Sequence, residues 1–218
     1  MILKMLETGP LMVNCYVVGD EDTGEAAVFD PGGDADRILS VLNEYGLRLK
    51  YILNTHTHWD HVGGNQALQE ATGAPILTHR AEAAGLAQGG ARAGAVIAGT
   101  APSETVRFIQ EGDVLEVGSI RFRVIDLRGH SPGGLGFVFE GEIEMEKGLR
   151  LARFVICGDA LFAGSIGRTD FPGGDMEGLL RNIRDKIFTL PPDTLVLPGH
   201  GPVTTVEQEK STNPFFRM

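Results

Sequence analysis

The chain has 218 residues, 42% of them hydrophobic, enough to bury a full core as a single domain built of two halves, about 1–105 and 106–218. A formal net charge of −10 with no long Lys/Arg run weighs against a nucleic-acid partner, because phosphate binding needs a basic surface. No apolar stretch approaches a membrane span, Met1-Ile2-Leu3-Lys4-Met5-Leu6-Glu7 lacks the pattern of a secretory signal, and two cysteines cannot make a disulfide framework, so a soluble, cytoplasmic protein without a membrane partner is expected.

In chain order, strands are expected at 2–6, 15–18 and 26–29, the last ending in the turn Asp30-Pro31-Gly32-Gly33. A helix follows from about Asp34, with Ile38, Leu39, Val41 and Leu42 on its apolar side and Gly46 as its stop. Tyr51-Ile52-Leu53 reads as a strand. A helix then opens near Asp60 and carries Val62, Ala67, Leu68 and Ala71 to a stop at Gly73. Residues 75–78 read as a strand ending at His79, which is expected to be a surface or helix-capping group beside Arg80-Ala81-Glu82. The Ala- and Gly-rich segment 83–105 is expected to be an irregular, partly helical excursion near the mouth of the site.

Beyond Val106 the chain is strand-rich, with runs at 114–117, 120–127, 135–140 and 149–156 and a charged, exposed hairpin over 140–148. A helix over about 176–188, a strand at 195–197 and a short tail complete it. Strand and helix groups thus occur twice, which suits two sheets packed face to face with helices outside. Cys15 and Cys157 read as buried core thiols.

The chemistry is concentrated in Thr55-His56-Thr57-His58-Trp59-Asp60-His61, which puts three imidazoles and a carboxylate into one tight turn. Zn²⁺ and related borderline cations take imidazole nitrogen together with carboxylate oxygen. Spacing i, i+2 lets His56 and His58 converge from an extended loop, while Asp60 and His61 can point elsewhere, so two neighbouring metals are expected. Three further candidates recur in the same setting, beyond a β-branched run and among turn residues: His130 in Gly129-His130-Ser131-Pro132-Gly133, Asp159 in Cys157-Gly158-Asp159-Ala160, and His200 in Pro198-Gly199-His200-Gly201-Pro202. Ligands on loops just past strand ends, held by a rigid sheet, are what a preorganised site needs.

These motifs resemble the metallo-β-lactamase-fold hydrolases, and the resemblance spans nearly the whole chain. It implies an α/β (α+β) four-layer αββα sandwich with metals at one edge. Position by position it implies that His56, His58 and His130 hold one divalent ion and Asp60, His61 and His200 a second, with Asp159 bridging. Zn²⁺ is the first expectation, and Fe and Mn suit the same ligands. Gly158-Asp159-Ala160-Leu161-Phe162, then Gly164-Ser165-Ile166-Gly167-Arg168-Thr169-Asp170-Phe171-Pro172, and the ending Thr212-Asn213-Pro214-Phe215 are similar to glyoxalase II (hydroxyacylglutathione hydrolase) and its short bacterial forms. A β-lactamase of the common type would place a Cys among the second metal's ligands, and none stands there.

The resemblance implies a thioester hydrolase acting on an acyl-thiol, a glutathione thioester such as S-lactoylglutathione in the first instance. Two such cations lower the pKa of water toward neutrality and polarise a carbonyl. Asp60 is placed to orient the attacking water. A thiolate, whose conjugate acid has a pKa of about 8.5, leaves without a general acid, and the sequence offers no obvious one. Arg168 stands where glyoxalase II enzymes carry a basic residue for glutathione's carboxylate; the other reading is an ion pair with Asp170 or Asp175. Asp170 and Pro202 replace tyrosines of the larger enzymes, and the C-terminal helical domain of those enzymes is not found in these residues. Hydroxyacylglutathione is therefore expected to bind weakly or to give way to another acyl-thiol. The rival reading is a persulfide dioxygenase with one Fe²⁺ on His56, His130 and Asp159, since such enzymes share the Gly-Arg-Thr-Asp segment. Lactonase or phosphodiesterase activity is a lesser alternative.

Overall fold

The computed structural model describes residues 1–88, 106–144 and 150–217. They form two compact units, Met1–Ile109 with Glu116–Ile120, and Gln110–Leu115 with Arg121–Met218.

The first unit carries one sheet in sequence order: β1 (Ile2–Thr8), β2 (Val13–Gly19), β3 (Glu25–Phe29), β4 (Arg48–Leu53), β5 (Ile76–Thr78) and β6 (Val106–Phe108). β1 to β3 are antiparallel, and β3 to β6 run parallel. Parallel neighbours need crossovers, and helices supply them. Helix α1 (Ala35–Glu44) lies between β3 and β4, and the pair α2 (Trp59–Val62) and α3 (Asn65–Thr72) between β4 and β5. Ile38 and Leu42, one turn apart on α1, are buried with Val17, Val28, Ile52, Leu68 and Ile76 in one cluster. Gly46, in the left-handed conformation, ends α1 as expected.

The single helix expected over 60–73 is two. Gly63 and Gly64 break it because the segment 31–33 passes against them: a Cβ on Gly63 would collide with the Gly32 carbonyl, and Gly64 N donates to Pro31 O at 2.7 Å. Apolar spacing cannot register a close approach of that kind. After β5, His79 accepts from Ala81 N through Nδ1 and caps a short 3-10 turn, as its sequence position suggested. Residues 83–88 form helix α4 (Ala83–Gln88), while the rest of the excursion expected over 83–105 lies outside the described residues.

The second unit carries a sheet ordered β14-β13-β10-β9-β8-β7. Its strands are β7 (Val114–Val117), β8 (Ile120–Asp126), β9 (Leu135–Glu144), β10 (Arg150–Gly158), β13 (Leu195–Pro198) and β14 (Thr204–Thr205). β10 and β13 are parallel, and β8, β9 and β10 are antiparallel neighbours. Phe139 stands opposite both Phe122 and Phe154, its ring stacked on that of Phe154 at 5.0 Å, an aromatic cross-strand set of the kind that fixes register. A separate cluster joins Ile125, Val138, Val155 and Val196 to Leu179, Ile183 and Ile187. The last three come from α5 (Met176–Asn182) and its continuation as a π-turn, Ile183–Ile187, which together fill the expected helix. Of the hairpin expected over 140–148, residues 145–148 lie outside the described residues; Arg150 pairs with Glu144.

Two features exceed the expectation. A hairpin of two-residue strands, β11 (Leu161–Phe162) and β12 (Ser165–Ile166), follows Asp159. The expected tail is helix α6 (Val206–Thr212), capped by Thr205 Oγ1 accepting from Gln208 N. Apart from Val206 its residues are polar or charged, so no apolar stripe announces it. Among the described residues no helix is long and apolar enough to cross a membrane.

Candidate metal centre

In the first unit every candidate ligand follows β4. The chain leaves the sheet at Leu53 and runs extended through His56 to His58 before α2 begins, so Asp60 and His61 fall on the first turn of a helix. His56 Nε2 and His58 Nδ1 face each other at 3.0 Å, and His61 Nε2 lies 3.8 Å from Asp60 Oδ2.

The loop is held from below by polar contacts. Asp30, just past the end of β3, accepts from Thr55 N at 2.8 Å and from Thr55 Oγ1 at 2.7 Å, and its Oδ2 lies 3.1 Å from His61 Nδ1. Asp30 adopts a left-handed backbone, with φ of 47°, to reach this position. Asn54 and Asn65 exchange amide hydrogen bonds, and Asn54 Nδ2 also donates to His61 O. Between the two facing imidazoles, Thr57 donates its N–H and its hydroxyl to the buried carboxylate of Glu82. Sequence reasoning took Asp30 only as a turn residue and gave Glu82 no part. For Asp30 a signal existed: like the ligands, it stands just past the end of a strand, β3. For Glu82 there was none, because its partner is 25 residues away.

In the second unit, His130 follows β8, Asp159 follows β10 and His200 follows β13. Asp159 Oδ2 lies 3.7 Å from His130 Nε2 and 3.8 Å from His200 Nε2. His130 Nδ1 donates to Arg168 O at 2.8 Å; since a carbonyl only accepts, Nδ1 carries a proton, and in the neutral tautomer so fixed Nε2 is the nitrogen that can ligate a metal. His130 is buried and Asp159 is 13% exposed at its side chain, while His200 stays the most open of the three at 29%.

These distances decide what the groups can do. Separations of 3.7–3.8 Å are too long for hydrogen bonds. They are close to the spacing of two donors on one tetrahedral cation, roughly 3.4 Å for bonds of about 2.0–2.1 Å. The donor set therefore fits a metal. Asp30, His56 and His61 also offer ligand atoms within 4.8 Å of one another, but two of Asp30's acceptor positions are taken by Thr55, which makes it an orienting group for His61.

Arg168 is exposed. Its Nε and Nη2 donate to the two carboxylate oxygens of Asp170, both at 2.7 Å, and its guanidinium lies 4.0 Å from the centre of the Phe171 ring. The guanidinium's hydrogen bonds hold Asp170 at a pKa of about 2. Of the two expected ion-pair partners the structure thus selects Asp170; Asp175 instead caps α5. Both cysteines are buried, as expected.

The sequence profile of the metallo-beta-lactamase superfamily matches residues 8–200. The chain belongs to that superfamily, a family of metal-dependent hydrolases, and has its fold. It is 36% identical to the hydroxyacylglutathione hydrolase GloC of Haemophilus influenzae, over 99% of this chain and 98% of that one. Among solved structures it is similar to the BLEG-1 B3 metallo-beta-lactamase, with a TM-score of 0.84 and 35% identity over 99% of both chains. The di-iron-bound form of TTHA1623 matches at 0.78 and 37%, over 97% of this chain and 99% of that one. ETHE1 from Myxococcus xanthus matches at 0.78 and 30%, over 98% and 84%.

Proposed function

We propose that the protein is a dinuclear metal-dependent thioester hydrolase of the hydroxyacylglutathione hydrolase type. In this reading His56, His58 and His130 hold one divalent ion, Asp60, His61 and His200 the other, and Asp159 bridges them. The observation that carries it is Asp159 Oδ2, flanked at nearly equal distances by imidazole nitrogens from two different strand ends. The full-length likeness to GloC supports a glutathione-related acyl-thiol as substrate.

When bound, the two ions supply an acidified water and a Lewis acid for the carbonyl. The chain's own residues do the rest. Asp60 orients the attacking water by accepting its hydrogen bond. Asp30 keeps the His61 ring oriented, and the Arg168 carbonyl does the same for His130. Arg168's guanidinium binds the thiol's carboxylate in exchange for Asp170. No residue need protonate the leaving thiolate at neutral pH. Zinc, iron and manganese all suit these ligands, and the similar TTHA1623 has a structure in a di-iron-bound form.

The test is elemental analysis of the purified chain with S-lactoylglutathione hydrolysis assayed on the same sample, repeated on Asp159→Ala. Two equivalents of metal with thioester cleavage, both lost in the variant, are expected. Two equivalents and normal turnover in Asp159→Ala would rule out the bridge. One equivalent of iron without cleavage would favour the persulfide dioxygenase reading, to be followed by O₂ consumption with glutathione persulfide. A β-lactam assayed in parallel tests the activity named for BLEG-1.

A further inference from the structure

Between Asp159 and Arg168 the chain makes a detour. β11 and β12 pair, Leu161 opposite Ile166 and Phe162 opposite Ser165, and a hairpin this short has no stability of its own. What holds its tip is α6. Glu209, fully buried on that helix, accepts from Gly164 N at 2.9 Å, from Asn213 Nδ2 at 2.8 Å and from Thr204 Oγ1 at 2.7 Å. Asn213, also fully buried and one turn further on, donates to Ser165 O at 3.0 Å. A carboxylate taken out of water is tolerated only when its oxygens are satisfied, and three donors satisfy this one. Two of its partners, Gly164 and Asn213, tie the hairpin to the helix. The motif Thr212-Asn213-Pro214-Phe215, read from the sequence as a resemblance, thereby acquires a physical role.

The other end of the hairpin lies at the metal ligands. Gly167 N donates to Ala160 O at 3.2 Å, closing the detour, and only glycine fits there because a Cβ would collide with the Asp159 carbonyl. The next residue supplies the carbonyl that accepts from His130 Nδ1. One short segment thus connects a carboxylate ligand, the acceptor that orients an imidazole ligand, and Arg168.

We propose that Glu209 and Asn213 are positioning residues: by clamping the β11–β12 tip they fix the Arg168 carbonyl against His130 and the backbone that carries Asp159. This rests on the reading of His130 and Asp159 as metal ligands. The test uses the full chain loaded with zinc and compares Glu209→Gln and Asn213→Ala with Thr204→Val. The last removes Glu209's third hydrogen bond without touching the hairpin.

Zinc affinity is read by competition with a chromophoric chelator, and the His130 contact by the slowly exchanging Nδ1 proton in the NMR spectrum. Glu209→Gln and Asn213→Ala are expected to weaken zinc binding by about tenfold or more and to lose that proton signal, whereas Thr204→Val keeps both. If Asn213→Ala does not accumulate folded, Asn213→Ser carries the same readouts. Unchanged zinc affinity in folded Glu209→Gln and Asn213→Ala overturns the proposal, as does an equal loss in Thr204→Val, which would make the effect one of general stability. A wild-type chain that takes up no zinc instead removes the ligand reading on which the proposal stands.

Discussion

Arg168 carries two relations in opposite directions. Its backbone carbonyl faces inward to His130, and its guanidinium faces outward to Asp170. The outward pair is bidentate but lies in water at both ends, 58% and 68% exposed, so salt screens it and a ligand carboxylate can displace Asp170 with little loss. Phe171 beneath the guanidinium keeps the fork in place while partners exchange. Arg168→Ala is therefore expected to raise KM for an anionic acyl-thiol about tenfold with kcat nearly unchanged, the pattern of lost binding common to ground and transition states. Arg168→Lys, which keeps the charge and loses the fork, should fall between. An unchanged KM in steady-state kinetics would leave Arg168 a structural surface pair. The seven candidate ligands were legible from local spacing, because each sits in a short motif beside a strand, and Arg168 from the resemblance of its segment to glyoxalase II. Glu82 was not, since what distinguishes it is a partner 25 residues away, and Asp30 was legible only in its place just past the end of a strand.

At the level of elements, the turn at Gly118 and Ser119, itself part of the first unit, is held by side chains of that same unit. Glu25 on β3 accepts from Lys50 Nζ at 2.7 Å, from Gly118 N at 2.8 Å and from Arg48 Nη2 at 2.9 Å, and Asp20 accepts from Ser119 N. Led by the Lys50 hydrogen bond, the contacts from Lys50, Gly118 and Arg48 hold the Glu25 carboxyl at about 2, against an ordinary 4.5. The folded chain then binds fewer protons than the unfolded one between those values. Glu25 contributes stability that is present above pH 4.5 and lost as pH falls toward 2. Glu25→Gln should lower Tm at neutral pH and flatten the fall of Tm across that window, measured by calorimetry at a series of pH values; an unaltered slope would remove Glu25 from the acid response. Elements with an apolar period, such as α1 and β8, were found from sequence. The break between α2 and α3 and the existence of α6 were not, because one depends on a backbone passing against Gly63 and the other on buried polar contacts of Glu209 and Asn213.

At the scale of the molecule, a net charge of −10 and clustered imidazoles and carboxylates make cations the natural ligands of this chain. If the ligands are preformed by the fold, metal stabilises the folded state by mass action, by about 4 kcal/mol for one site at a free concentration a thousand times Kd. Stripping with a chelator should then lower Tm by roughly 10 °C for a chain of this size, and readdition of zinc should restore it. A Tm indifferent to chelation would argue that the loops owe nothing to a metal.

Sequence by itself determined the family, the alternation of strands and helices, and the ligand-bearing motifs. Those depend on residue type at short range, where spacing and turn chemistry act directly. Only the tertiary structure decided which ligand atoms point together, which nitrogen of His130 meets the Arg168 carbonyl, and what braces the loops. A hydrogen bond such as Glu209 to Gly164 joins positions 45 apart, and no local pattern in a single chain encodes which distant donor a buried carboxylate will meet.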